Sequence, residues 1–244
     1  MGERMNNLVV IVPSRGRPEN AKRLVGAFLS GGATVHFALD HDDPALTEYE
    51  DFLESVGDRR VGWTTGPRQH FAEILNTQSA IFTGPMFQGW AFDCIGAMGD
   101  DHLPRTPNWD REIVAQLGNP GIGIVYGDDL YQREALPTAV FMEAKVIQAL
   151  GYMAPPGLWH MYADDAWKTW GTRAECLRYL PDLVIEHIHP IVGTAGWDAG
   201  YRDVNSRATW RHDKRWWDAY QRDQLDTDVQ TLWRLMRRER MGQA

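Results

Sequence analysis

The first half of the chain alternates short apolar runs with longer segments whose apolar residues recur at helical spacing. The runs favour strands because they are short and end at Gly, Pro or Asp. In the segment after the first run, Leu24, Val25 and Phe28 fall on one face of a predicted helix. The predicted strands are "LVVIV", "TVHFALD", "RVGWTTG", "WAFDCIGAMGDD" and "IGIVYGDD". Strands and helices that alternate in this way predict a three-layer α/β/α fold with a mainly parallel central sheet.

The second half follows a less regular pattern. It contains a strand in "LPDLVIEHIHP", and a long helical segment begins near His212. We predict one α/β domain over residues 1–200 and a helical extension over residues 201–244 that packs on it. The sequence shows neither internal repeats nor a low-complexity linker between them.

The composition is that of a globular protein, with 43% hydrophobic and 24% charged residues. No apolar run approaches the roughly 20 residues of a membrane span, and the N-terminal residues lack a signal-peptide pattern. The two cysteines, Cys94 and Cys176, suggest neither a disulfide framework nor a cysteine-based zinc site. We therefore expect a cytoplasmic protein that has no contact with membranes.

Charge is unevenly distributed along the chain. The net charge is −8, but ten Lys or Arg and seven Asp or Glu occur from Arg202 onward, so that end carries +3 and the remainder −11. Cations and Trp residues interleave there, a pattern that proteins binding single-stranded or flipped-out bases use. A solvated helix, or a helix that docks its Trp residues on the sheet, would have the same composition. The residues concerned are Trp210, Trp216, Trp217, Trp233, Arg207, Arg211, Lys214, Arg215, Arg234, Arg237, Arg238 and Arg240.

Polar residues follow several of the predicted strands. Ligands of parallel sheets gather beyond the carboxyl ends of the strands, so these side chains should converge on one site. Asp100 and Asp101 come after the apolar stretch "CIGAM", where carboxylates are costly unless a positive group meets them. Mn²⁺ or Mg²⁺ suits such oxygen ligands, whereas a turn or capping pair is the structural alternative. The other strand-end residues are Ser14, Arg15, Asp40, Asp42 and Asp43.

Three of these segments resemble glycosyltransferases of the GT-A fold, in particular the inverting family 2-like group. "VVIVPSRGRPENAKRLV" looks like the opening strand and nucleotide loop, "FALDHDDP" like the second strand, whose terminal Asp faces the nucleobase, and "MGDDHLPRTPNWD" like the metal-binding DxD region. The resemblance implies a GT-A, Rossmann-like fold and a metal-dependent hexosyltransferase whose expected donor is a UDP-sugar. The string is Gly99-Asp100-Asp101, so a strict DxD motif would need Asp in place of Gly99 or a ligand at His102, and the division of duties between Asp100 and Asp101 stays open.

The resemblance also implies roles for residues elsewhere. Asp101 is the candidate for direct metal coordination, and a late histidine completes the metal shell in several relatives of this fold. His187 and His189 share one strand face, and we assign that role to His189, which lies nearer the strand end. In this group an Asp that opens a helix acts as general base, which indicates Asp165 first and Asp164 second. Helix capping is the structural alternative for both.

Donor binding is assigned to the loop after the first strand and to nearby polar residues. Arg side chains pair with diphosphate oxygens in a fork geometry, and Asp40 would accept from the base or the ribose. Asp128 and Asp129 form a second acidic pair after a strand, and we interpret them as acceptor-side or structural residues. The residues assigned to the nucleotide sugar are Pro13, Ser14, Arg15, Arg17, Asp40, Arg68, Asn76 and Asp100.

Two other functions fit the same layout. A nucleotidyltransferase shares the acidic metal ligands, but that class usually opens with a Gly-rich loop, and here only Gly16 follows the first strand. A nucleotide-binding protein that has lost the chemistry is the third interpretation. For the acceptor, the chain resembles small phage-encoded glycosyltransferases, some of which modify 5-hydroxymethylpyrimidines in DNA. A glycan, a small molecule or a protein side chain is the alternative acceptor.

Overall fold

The computed structural model describes residues 7–84, 92–190, 193, 196 and 199–242. Strands and helices alternate through the first half, as the apolar pattern predicts. The described strands are β1 Leu8–Ser14, β2 Thr34–Asp40, β3 Val61–Gly66, β4 Cys94–Ala97, β5 His102–Pro104, β6 Ile124–Asp128, β7 Val140–Glu143 and β8 Leu177–His187. The described helices are α1 Pro18–Leu29, α2 Leu46–Val56, α3 Phe71–Thr83, α4 Trp109–Leu117, α5 Ala144–Leu150, α6 Ala163–Arg173, α7 Ala199–Val204, α8 Arg207–Asp223 and α9 Leu225–Arg240.

The strands form one mixed sheet in the order β3-β2-β1-β4-β7-β6-β8-β5. β1 pairs in parallel with β2 and with β4, β2 pairs in parallel with β3, and β6 pairs in parallel with β8. β7 is antiparallel to β4 and β6, and β5 is antiparallel to β8. Only β7 and β5 run against the other described strands, which confirms the predicted, mainly parallel sheet.

Different helices cover the two faces of the sheet. Along β1, Val9 and Ile11 are buried on one face, and Val10 and Val12 are buried on the other, as strand alternation requires. Helices α3, α5, α6, α8 and α9 pack on the first face, while α1, α2 and α4 pack on the second. The three-layer α/β/α arrangement is therefore confirmed. No helix in the described ranges is both long and apolar enough to cross a bilayer.

Two element boundaries differ from those that the sequence predicts. β4 ends at Ala97, so Asp100 and Asp101 lie in the turn between β4 and β5 rather than on the strand. Trp90 and Ala91, which open the predicted strand, lie outside the described residues. The helical segment near the C-terminus breaks at Gln224 into α8 and α9, and both helices bury apolar residues in the same core cluster.

A buried carboxylate joins the C-terminal helices to the rest of the fold. Asp228 of α9 accepts hydrogen bonds from the hydroxyls of Tyr152 and Tyr220, the first at 2.5 Å, and from Gln224 Nε2 at 2.9 Å. The Tyr220 hydroxyl in turn accepts from Trp170 Nε1 of α6 at 2.6 Å. α8 and α9 are thus fixed to α6 by a polar network within the apolar core.

Replacing Asp228 with Ala should lower the free energy of unfolding by about 3 kcal/mol, because two tyrosine hydroxyls lose their common acceptor. Urea denaturation followed by Trp fluorescence would measure this loss. Asp226→Ala is the matched control, since Asp226 is exposed and pairs with Arg173 at the surface. Asp226→Ala should lower the free energy of unfolding by less than about 1 kcal/mol. Equal losses in the two variants would contradict the anchoring role of Asp228.

Candidate functional site

Asp100 is held by the loop that leads from β1 into α1. Its carboxylate is buried and accepts hydrogen bonds from the Ser14 hydroxyl at 2.5 Å, from Arg17 Nη1 at 3.1 Å and from Asn20 Nδ2 at 3.3 Å. Burial and the neighbouring Asp101 raise the pKa of Asp100 to about 6, while Arg17 and Ser14 oppose that rise. The start of α1 therefore carries the polar groups that stabilise this buried acid.

Asp101 has a different set of partners. Its Oδ1 lies 3.1 Å from His102 Nδ1, and its Oδ2 lies 3.6 Å from His187 Nε2. The Tyr201 hydroxyl donates to Oδ2 at 2.7 Å. Burial by itself would raise the pKa of Asp101, but the two imidazoles outweigh burial and hold that pKa well below its usual range. Asp101 is thus the stronger acid of the pair.

Asp101, His102 and His187 form a candidate metal cluster. One ligand atom from each residue lies within 4.8 Å of the others. The two imidazoles stack with ring centroids 4.1 Å apart because β5 and β8 pair His102 directly with His187. His102 Nε2 and His187 Nδ1 are buried without a hydrogen-bond partner. Two imidazoles and a carboxylate this close together are a donor set that transition-metal ions use, so the residues present fit a metal ion.

Gly99 explains why the acidic motif departs from DxD. A Cβ at position 99 would lie 2.5 Å from Asp101 Oδ1 and 3.2 Å from His102 Nδ1. Real Cβ atoms do not approach an oxygen that closely, so any side chain at this position would push Asp101 away from the imidazoles. The glycine therefore leaves room for Asp101 and His102 to lie side by side in the cluster.

The structure places His189 next to this cluster. Its ring centroid is 4.8 Å from that of His187 and 5.0 Å from that of Tyr201. The metal cluster contains His187 rather than His189. The assignment of His189 as a metal ligand stays a prediction. Tyr201 itself carries the Arg17 guanidinium over its ring at 4.0 Å. This side chain from α7 therefore links the partners of Asp100 to those of Asp101.

Asp164 and Asp165 open α6 but have different surroundings. Burial, with Asp165 beside it, raises the pKa of Asp164 to about 7, and the charge of His187 acts in the opposite direction. Burial also raises the pKa of Asp165, whose charge acts on Tyr162. Tyr162, just before the helix, has φ +68°, a conformation that costs energy for a residue other than glycine.

A carboxylate from α8 fixes the loop that carries these residues. Asp213 is fully buried and accepts from three consecutive backbone N–H groups, those of Trp159, His160 and Met161, at 2.7–2.8 Å. His212 Nδ1 lies 2.9 Å from the same carboxylate. Burial alone would raise the pKa of Asp213, but these hydrogen bonds lower it. The C-terminal extension thus sets the position of the loop that leads into Asp164.

No known protein family matches the sequence, and no curated protein matches it. Solved structures do match. A mannosyltransferase from Pyrobaculum calidifontis, in complex with GDP-Man and Mn²⁺, superposes with a TM-score of 0.58 and 13% identity over 93% of this chain and 72% of that protein. TarS 1–349 of S. aureus, in complex with UDP, superposes with a TM-score of 0.52 and 10% identity over 73% of this chain and 59% of that one.

The fold is GT-A. At these identities the likeness concerns the fold, and the chain spans less than two thirds of the TarS structure. In this GT-A sheet, β1, β2 and the turn after β4 bring together Ser14, Asp40 and Asp100, as the strand order predicts.

Arg15 binds the chain's own carboxylates. Its Nη1 lies 2.9 Å from Asp40 Oδ2 and 2.5 Å from Asp42 Oδ1. Asp43 Oδ2 accepts from the backbone N–H of Gly16 at 2.7 Å, and Gly16 has φ +68°. The neighbouring Pro13 lies within the sheet, where it pairs with Ala38. These contacts give the β1–α1 loop of the GT-A fold a defined shape.

Arg68 and Asn76 do not join the group around Asp100. Arg68 is exposed and pairs with Asp203 of α7 at 2.7 Å. The Asn76 amide is bonded to the backbone of Met153 and Ala154, with Oδ1 accepting from both N–H groups at 2.9 Å and Nδ2 donating to the Ala154 carbonyl at 2.9 Å. Asn76 therefore ties α3 to the loop after α5, and its role toward a nucleotide stays a prediction.

The second acidic pair shapes a turn. Asp129 is buried and accepts from the backbone N–H groups of Tyr131 and Arg133 and from the Thr138 hydroxyl, at 2.7–2.8 Å. Its carbonyl accepts from the His187 N–H at 3.0 Å. Of the two interpretations drawn from the sequence, these contacts favour the structural one for Asp129. The turn also supports the strand end that carries His187.

The sequence does not single out Tyr201, Asn20 or Asp213, although all three contact the site or its loop. Asn20 sits one turn into α1, where a pattern of helical spacing predicts only that it lies on the polar face. The partners of Tyr201 and Asp213 are distant in the chain, so no local motif marks either residue. His102 follows directly after the acidic pair, and its position within "DDH" is the one signal that could have identified it.

The pKa of Asp164 predicts a pH effect in the metal-free protein. The carboxyl has its ordinary pKa near 3.8 when unfolded and a pKa of about 7 when folded, so folding opposes its ionisation. The destabilisation is absent below about pH 4, grows as the pH rises and is complete above pH 7. Asp164→Asn should therefore gain stability relative to the wild type between pH 4 and pH 7, by a few kcal/mol at roughly 1.4 kcal/mol per pKa unit.

Urea midpoints at pH 4, 5.5 and 7 would measure this gain. Comparison of variant with wild type cancels the titration of the other acids and histidines. Asp165→Asn, the neighbouring half-buried carboxyl, is the control and should gain less. Parallel stability profiles for Asp164→Asn and the wild type would disprove the raised pKa.

Proposed function

We propose that the chain is a metal-dependent glycosyltransferase that moves a sugar from a nucleotide-diphosphate sugar to an acceptor hydroxyl. One observation carries the proposal: the Asp101, His102 and His187 cluster lies beside the Arg17–Asp100 pair. In this proposal, one edge of the GT-A sheet carries the metal ligands, a cation of the β1–α1 loop and a candidate base. The superposed mannosyltransferase, which was solved with GDP-Man and Mn²⁺, supports this interpretation.

Asp101, His102 and His187 would hold the metal. When bound, the cation neutralises the charge that develops on the diphosphate as the bond to the sugar breaks. Two imidazoles and one carboxylate suit Mn²⁺ better than Mg²⁺, which strongly prefers oxygen ligands and water. We therefore favour Mn²⁺ among the two ions that the sequence suggests. His189, beside His187, is the candidate for an additional ligand.

The β1–α1 loop would bind the nucleotide. Arg17 is the candidate diphosphate partner because it already lies between Asp100 and Tyr201 at the entrance to the metal cluster. Arg15 and Asp40 form a pair further along the same edge, where Asp40 could accept from the base or ribose. Asp100 in this arrangement orients Arg17 and Ser14, and Asp101 faces the metal. In this proposal the two adjacent aspartates therefore have different duties.

Asp164 is the better placed of the two candidate bases. It would take the proton of the acceptor hydroxyl while that oxygen bonds to the anomeric carbon and the bond from that carbon to the diphosphate oxygen breaks. A base works best when its pKa lies near the working pH, and burial brings the pKa of Asp164 to about 7. Asp165, the first choice from the sequence, lies toward Tyr162 and α8.

The acceptor in this proposal is an alcohol. A 5-hydroxymethylpyrimidine in DNA offers a primary hydroxyl of this kind, and we keep it as the predicted acceptor. Incubation with a panel of nucleotide sugars, with and without Mn²⁺, tests the donor side. Release of UDP or GDP would support glycosyl transfer or hydrolysis. Formation of a nucleoside triphosphate with added pyrophosphate would instead indicate a nucleotidyltransferase.

Asp101→Ala should abolish Mn²⁺-dependent binding of UDP while the protein stays folded, because the cluster loses its only carboxylate. Isothermal titration with UDP, in the presence and absence of Mn²⁺, would measure the effect. Asp128→Ala is the control, since Asp128 caps a neighbouring turn by accepting from the Leu130 N–H. Unchanged Mn²⁺-dependent affinity in Asp101→Ala would remove the metal assignment.

Asp164→Asn should spare donor binding and lower kcat by roughly 10²–10⁴-fold, the usual contribution of a general base. Asp165→Asn is the matched comparison on the next residue and should keep most of its turnover. Single-turnover kinetics with the donor found in the panel would separate binding from transfer. A larger loss in Asp165→Asn than in Asp164→Asn would return the role of base to Asp165.

A further inference from the structure

An open groove runs along α8 beside the start of α6. Its volume is about 870 Å³, at the upper end of the roughly 300–1,000 Å³ that ligand sites occupy. Tyr162 forms one wall, and exposed residues of α8 form the other. The α8 residues that matter for its chemistry are Trp210, Arg211, Lys214, Arg215, Asp218 and Arg222.

The groove concentrates positive charge on an acidic protein. Four of its side chains are cationic, while the net charge of the chain is −8. Asp218, the one carboxylate in the lining, binds Lys214 at 2.6 Å, and the neighbouring Asp223 pairs with Arg222 at 2.8 Å. In the part of the chain that the structure describes, no ion pair engages Arg211 or Arg215. These two guanidinium groups stand one helical turn apart and are available to a polyanion.

Aromatic rings lie between the cations. Trp210 is 46% exposed, which is unusual for so large an apolar side chain. The Tyr162 ring meets Trp210 edge to face with centroids 6.0 Å apart, and its stacking on Trp217, at 5.7 Å, holds it in place. The groove thus offers both ring surfaces and guanidinium groups to a ligand.

The groove adjoins the segment that carries the candidate bases. Tyr162 lines the groove and immediately precedes α6, two residues before Asp164. Asp213, on α8, holds the loop that leads to Tyr162 through three backbone hydrogen bonds. A ligand in the groove would therefore contact the residue that immediately precedes the helix carrying Asp164 and Asp165.

We propose that this groove binds a single strand of DNA and is the acceptor site of the enzyme. Arg211, Arg215 and Arg222 would contact phosphates, and Trp210 and Tyr162 would stack on unpaired bases. The use as an acceptor site rests on the proposed function. The cations of the groove favour a polyanion over a neutral glycan. The aromatic rings between them favour nucleic acid over a polyanion without bases, since every base has a π-face that can stack.

The sequence also marks cations of α9, but the structure separates these from the groove. Arg234, Arg237 and Arg238 are exposed on α9 and do not line it. These three arginines carry as many positive charges as Arg211, Arg215 and Arg222, and all six lie in the C-terminal segment. Replacement of these three residues by Gln is therefore a matched control for replacement of the groove residues Arg211, Arg215 and Arg222.

Fluorescence anisotropy with a labelled single-stranded oligonucleotide containing 5-hydroxymethylcytosine would test the proposal across a range of salt concentrations. The change of Arg211, Arg215 and Arg222 to Gln should reduce the slope of log affinity against log salt by about 2, because each phosphate contact on a single strand contributes about 0.7. The α9 triple variant should keep the wild-type slope. Trp210→Ala should weaken binding roughly tenfold with an unchanged slope.

Three outcomes would overturn the proposal. One is the absence of binding at low salt; another is an equal effect of the two triple variants. The third is heparin binding as tight as that of the oligonucleotide, with no effect of Trp210→Ala, which would indicate a general polyanion surface. Binding is measured without donor or metal, so its failure leaves the Mn²⁺ and UDP tests unaffected, and their failure leaves this measurement unaffected.

Discussion

The burial of two adjacent carboxylates, Asp100 and Asp101, is the constraint on which the site depends. Two neighbouring acids cannot both ionise in apolar surroundings unless positive or hydrogen-bonding groups meet them. The fold meets them separately: Ser14 and Arg17 contact Asp100, while two imidazoles contact Asp101. This separation gives the two residues opposite pKa shifts. Asp100 is thereby tied to the β1–α1 loop, and Asp101 to the two imidazoles.

The groups that stabilise this pair come from widely separated parts of the chain, which makes the C-terminal helices part of the site. Tyr201 of α7 contacts both Asp101 and Arg17. Asp213 of α8 binds the loop that ends in the strained residue Tyr162. Strain of that kind persists only where the surroundings over-determine the backbone. The extension therefore does more than cover apolar surface, because it fixes the segment that carries Asp164.

The order of strands and helices can be predicted from the sequence because side-chain periodicity is a local property. The convergence of strand ends is predictable for the same reason, once the sheet is taken as parallel. Which of His187 and His189 joins the cluster cannot be predicted from the sequence, because strand alternation places both side chains on one face. It depends on the pairing of β5 with β8, which sets His187 against His102. Asp213 escapes prediction altogether, since its partners are backbone N–H groups more than fifty residues away.

The placement of the cations matters more than their number in the C-terminal segment. The charges are screened within a Debye length of about 8–10 Å at moderate salt, so an excess of three positive charges spread over two helices would attract a polyanion only weakly. Arg211 and Arg215 stand together on α8, and Tyr162 connects their groove to Asp164. The remainder of the chain is acidic and repels phosphates. A polyanion would therefore be drawn to the groove along α8, where ring surfaces and guanidinium groups are adjacent.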